Sequence, residues 1–144
     1  MKNLFFLIIF YFLTTSFSFG TNSEFFIGGK DLFEKKKYEK SKIYFERDIV
    51  FNPKSVKSYL YLAKIYQKDE NDFSEEINLN SVLLLEPKND EAIYMLIMLK
   101  IRQSDYDKAK ELMEKFTIVC NSFCSKKREI EEKFNKLIPE NERQ

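Results

Sequence analysis

The chain contains no histidine. That absence removes the commonest general base, the Ser-His and Cys-His nucleophile pairs and the commonest zinc ligand, and most hydrolase mechanisms go with them. Carboxylate pairs remain available for acid-base chemistry, but they need surroundings that push their pKa values apart. The acidic residues here lie mostly among lysines, which is the pattern of a solvated helix face. Glycine and proline are scarce, at three each in 144 residues, which favours long helices over a turn-rich sheet. No charge sign dominates: 24 basic residues stand against 23 acidic ones, so no net field draws the protein to nucleic acid. No catalysis, cofactor or metal is expected, and nucleic acid is a poor partner.

What is present is apolar. Hydrophobic residues make up 44% of the chain, enough for the core of one compact domain once the first 20 or so residues are set aside. Those first residues follow the grammar of a signal peptide: Lys2 supplies a positive start, residues 4–13 are an unbroken apolar run, and residues 14–20 turn small and polar between phenylalanines. Ser18 and Gly20 offer the small side chains that a peptidase requires, which places cleavage after Gly20, and no cysteine stands there for lipoprotein processing. The alternative is an uncleaved anchor, although residues 4–19 fall short of the ~20 that span a bilayer comfortably. Either way the expected location is outside the cytoplasm, in a periplasm or anchored facing it.

Two of the three prolines, Pro53 and Pro87, lie 34 residues apart in the similar settings Phe51-Asn52-Pro53-Lys54 and Leu85-Glu86-Pro87-Lys88. A fixed period of this size is a mark of stacked helical pairs, and here the sequence resembles the tetratricopeptide repeat (TPR) family. The resemblance runs through residues 22–55, 56–89 and 90–123. In the first unit Gly29 stands at the small site where paired helices approach, Tyr38 opens the second helix, Ser41 is the next small contact and Phe45 fills the space between helices. In the second, Tyr59, Leu62, Ala63 and Tyr66 match the large-large-small-aromatic pattern, and Leu79, Val82, Leu85 and Pro87 match its end. The third matches through residues 105–109, then Met113 and Phe116. Asp48 and Glu75 depart from the pattern where a small apolar residue is usual, and Ile97 and Lys100 also depart. Phe73 arrives one residue late, which implies a longer turn at residues 70–72.

Periodicity supports the same layout without the family. Tyr59, Leu62, Ala63 and Tyr66 recur at helical spacing, as do Ile93, Leu96, Ile97 and Ile101. Ser55, Asn89 and Asp105 stand where side-chain oxygens cap helix starts. The expected fold is all-α: tandem helix-turn-helix repeats forming a short TPR-like superhelix over residues 21–138. Residues 125–138 read as a capping helix, with Ser125 at its start and Ile130, Phe134, Leu137 and Ile138 on the face that covers the last pair. Residues 139–144 read as a tail.

Cys120 and Cys124 are the two cysteines. A disulfide fits an oxidising compartment, yet a regular helix holds positions four apart too far from each other, so a turn at residues 121–123 is required. Free buried thiols and a redox or metal role are the alternatives, and redox catalysis prefers a two-residue spacing.

In TPR proteins, ligands lie along the first helices of successive pairs. The resemblance carries that groove onto Phe26, Lys30 and Phe33 in the first unit, Lys57, Leu60, Lys64 and Gln67 in the second, and Tyr94, Met98 and Ile101 in the third. It does not carry the Lys-Asn arrangement with which chaperone-binding members hold a terminal carboxylate, because Phe26 and Lys30 occupy those places. The implied function is an exported interaction module or adaptor that takes a peptide or protein segment. The alternatives are a structural subunit of an envelope or homo-oligomeric assembly and, third, thiol-disulfide exchange. Membrane association is expected only through an uncleaved N-terminal segment.

Overall fold

In the computed structural model, residues 23–137 are described; the expected signal peptide, Ile138 and the tail lie outside them. Among the described residues there are seven α-helices and no strand. They are α1 (Glu24–Glu34), α2 (Tyr38–Phe51), α3 (Val56–Lys68), α4 (Asp72–Leu85), α5 (Asp90–Arg102), α6 (Tyr106–Val119) and α7 (Lys127–Leu137), with a 3-10 turn at Cys124–Lys126 before the last. Successive helices pack as antiparallel hairpins, α1 on α2, α3 on α4 and α5 on α6, and each hairpin stacks on the next.

The period is kept in the backbone more strictly than in the side chains. The first helices of the hairpins end at Glu34, Lys68 and Arg102, and the second helices span equivalent stretches, all 34 residues apart. Each intervening turn places one residue in the left-handed region, Lys36 at φ 58°, Glu70 at φ 54° and Ser104 at φ 60°. The longer turn expected at residues 70–72 is therefore absent. Asp72 takes the place of Tyr38 and Tyr106 at the start of the second helix, and Phe73 is left 76% exposed.

Caps explain most of the helix starts. Asn89 accepts from the Ala92 amide at 3.0 Å and Asp105 from the Lys108 amide at 3.2 Å. Ser23 and Asn71, which the sequence reading passed over, cap α1 and α4 in the same way. Ser55 makes no side-chain cap, and its hydroxyl donates to Asp48. Ser125 falls inside the 3-10 turn rather than at the start of α7.

Two buried clusters hold the stack. Phe26, Phe45, Leu62 and Ile65 centre the first, and the second runs from Leu60 through Leu79, Val82 and Ile93 to Phe116 and Ile130. Gly29 sits where α1 meets α2: a Cβ there would lie 2.8 Å from the Phe45 ring. The same absence of a side chain lets the Ser41 hydroxyl reach the Gly29 carbonyl at 2.8 Å. At the other end α7 packs on α5 and α6, with Ile130 buried and Phe134 against the Tyr106 ring. Leu137, expected on the covered face, is 51% exposed.

Candidate functional site

The first helices of the three hairpins line a groove. Phe26, Ile27 and Lys30 of α1, Lys57, Leu60, Tyr61 and Lys64 of α3, and Glu91 of α5 enclose a cavity of about 460 Å³. The floor is apolar and aromatic, with Phe26 edge-on to Tyr61. Lysines ring it. Lys57 Nζ lies 5.8 Å from the centre of the Phe26 ring and Lys64 Nζ 5.0 Å from that of Tyr61, so each cation rests on an aromatic face. Lys64 is also bound to Glu91 at 2.7 Å and Lys30 to Glu34 at 3.5 Å.

Five of the ten expected groove residues meet here: Phe26, Lys30, Lys57, Leu60 and Lys64. The other five do not line this cavity. Phe33 packs edge-on against Tyr38 and Tyr61. Gln67 donates to Glu75. Tyr94 is taken up by the C-terminal cap: its ring lies against Phe123, and its hydroxyl donates to Glu129 at 2.9 Å. Burial, with the Glu129 carboxylate beside it, pushes the Tyr94 phenol up to about 12, while donors from Lys126 and Tyr94 hold Glu129 down at about 2. Met98 is partly buried against the second cluster, and Ile101 is 3% exposed inside it. These three belong to the unit that the cap covers, which the repeat pattern alone does not distinguish from the open units. Ile27, Tyr61 and Glu91 were missed, although Ile27 and Tyr61 lie 34 residues apart and the same period could have found them.

The hairpin junctions carry the buried polar groups. Asp48 is 1% exposed and takes hydrogen bonds from Ser23, Ser58, Ser55 at 2.5 Å and Asn52 at 3.0 Å. Burial pushes its carboxyl up, but the four donors outweigh it and the group lies below its ordinary value. A second cavity of about 600 Å³ opens beside it, lined by Phe51, Pro53, Val56 and Lys57 among others. At the next junction Glu75, fully buried, accepts from Arg102 at 2.6 Å, and Arg102 also grips Asp72. There burial outweighs the guanidinium, and the Glu75 carboxyl is raised.

The third junction is closed covalently. Cys120 and Cys124 form a disulfide across the turn that follows α6. Asp90, at the start of α5, accepts from the Asn121 and Phe123 amides of that turn at 2.7 and 2.9 Å. Burial works against the Asp90 charge, and these amides more than compensate, leaving its carboxyl lowered. Among the described residues, no group of three or more His, Cys, Asp or Glu side chains is arranged to hold a metal.

Among solved structures, the TPR domain of Sgt2 from Aspergillus fumigatus superposes with a TM-score of 0.66. The match covers 78% of this chain and 76% of that one at 19% identity. The chain has a TPR-like fold. No protein-family model matches it, and no curated protein does. The fold is thus shared at a level of sequence identity where few side chains are.

Proposed function

We propose that this TPR-like protein is a non-enzymatic interaction module whose groove takes an extended or helical peptide bearing apolar anchors and acidic residues. The observation that carries this reading is one cavity in which Phe26, Ile27, Leu60 and Tyr61 form the floor while Lys30, Lys57 and Lys64 stand around it. Burial of the anchors supplies affinity, and the lysines select charge and speed encounter. Glu91, paired with Lys64, is the built-in competitor that an acidic ligand residue replaces. The reading also places the protein outside the cytoplasm, supported by the Lys2 start with its apolar run and by a disulfide of the kind that oxidising compartments maintain.

The test uses immobilised synthetic peptides in which leucine and glutamate alternate, with leucine-lysine peptides as the control, read by surface plasmon resonance at two salt concentrations. The acidic peptides should bind and the basic ones should not. Leu60→Ala should cost about 1 to 3 kcal/mol of affinity. Lys64→Glu should chiefly slow association and flatten its salt dependence. Circular dichroism checks that each variant folds. Binding that ignores both changes but responds to substitutions on α2, α4 or α6 overturns the groove assignment.

A further inference from the structure

The outer helices carry a feature that the groove does not use. Val50, Leu84 and Ile118 occupy equivalent positions 34 residues apart, each in the last turn of its helix, and are 72%, 83% and 84% exposed. Phe51, beside the first of them, is 69% exposed and stacks on Phe25 of α1. Singly, exposed apolar residues are ordinary. Three recur in register at one end of the stack.

That end is defined by contacts. Ser23, ahead of α1, bonds to Asp48 near the end of α2, and Asn121, past the end of α6, bonds to Asp90 at the start of α5. The chain therefore enters the stack at the same end that bears Val50, Leu84 and Ile118. The 22 residues before Ser23 include the apolar run of residues 4–13. Exposed lysines Lys54 and Lys88 stand in the equivalent loops at this end. Exposed Glu86, and Glu24 in the first turn of α1 at this end, offset their charge, so apolar contact supplies most of any attraction.

From these observations we infer that this end of the stack rests on a lipid bilayer. Val50, Leu84 and Ile118 enter the interface, and Lys54 and Lys88 meet anionic headgroups. The groove runs along the sides of the first helices, with Phe26, Lys57 and Glu91 in first turns at this same end. Burial of short apolar side chains into the headgroup boundary, joined to local basic charge, is the physical basis of interfacial binding.

The chain contains no tryptophan, so a single introduced one reports on its own surroundings. Full-length Leu84→Trp, Ile118→Trp and Phe73→Trp are each mixed with vesicles of phosphatidylcholine and phosphatidylglycerol, with and without brominated acyl chains. Phe73 lies on the same helix as Leu84 and is also exposed, but ~16 Å away at the opposite end. Emission at positions 84 and 118 should shift to the blue and lose most of its intensity to brominated lipid, while position 73 stays unchanged. Equal quenching at 73 and 84 overturns the end-on placement. No quenching at 84 or 118 overturns membrane contact, and a blue shift there without quenching overturns it in favour of a protein surface such as a second copy. Circular dichroism confirms that these surface variants remain folded.

Discussion

The junction between the first and second hairpins and the junction between the second and third have one backbone geometry and opposite chemistry. Asp48 and Val82 stand at equivalent positions, 34 residues apart, and both are buried, at 1% and 0% exposure. In the first junction the carboxylate is matched by Ser58, Ser55, Ser23 and Asn52. In the second, Ala92 replaces Ser58 and the contact is apolar. About two turns earlier on the same helix the exchange runs the other way. Ser41 is a small hydroxyl bound to Gly29, while its equivalent Glu75 is a buried acid held by Arg102. A repeat of this kind fixes where backbones meet, and each meeting point accepts any side chain whose partners change with it.

The largest expected effect breaks the first junction. Asp48→Val alone gives it the residue of the second but leaves the buried Ser58 hydroxyl with Ser55, at 3.1 Å, as its remaining side-chain partner, and should cost about 3 kcal/mol in urea unfolding. Next is Gly29→Ala, whose Cβ would press on the buried Phe45 ring, at about 1 to 3 kcal/mol. The equivalent residue in the second unit, Ala63, already carries that carbon.

The two acids should also differ in the sign of their pH dependence. Asp48 is depressed below 3.8 in the fold, so its contribution is complete above that value and is lost as pH falls through the lower folded value. Wild type should lose ground to Asp48→Asn there. Glu75 is raised above 4.5, so the folded state holds its proton more tightly than the unfolded chain does. Wild type should lose ground to Glu75→Gln as pH rises from 4.5 through that raised value. Urea titrations across the two windows check both slopes, and slopes of the same sign would remove this contrast.

The smallest effect should be common to all three units. Lys36→Gly, Glu70→Gly and Ser104→Gly each relieve a left-handed residue and should raise stability by about 0.5 to 1 kcal/mol. Equal gains would show that the turns are equivalent although their residues are not.

The helical stack was legible because Pro53, Pro87 and the apolar stripes repeat at a period that only paired helices explain. The groove was half legible. Phe26, Leu60 and Lys64 follow from the period, but whether a position stays open depends on what covers it, and the C-terminal cap takes Tyr94 through a contact 35 residues away. Asp48 was visible as a departure from pattern and not as a network, since its partners come from three separate segments. The longer turn inferred from Phe73 failed because an aromatic residue one place late was read as a shifted helix. The backbone kept its register and left the ring in solvent.

The central claim, that equivalent junctions exchange chemistry as matched sets, is tested most directly by the double variant Asp48→Val/Ser58→Ala. It installs in the first junction the residues found at Val82 and Ala92, and it removes the one donor with no route to water, because Ser23 and Ser55 are half-buried and Asn52 is exposed. Urea unfolding of the wild type, both single variants and the double yields the coupling. The account predicts that the double variant is more stable than the sum of the single losses by about 1 kcal/mol or more; losses that simply add would contradict it.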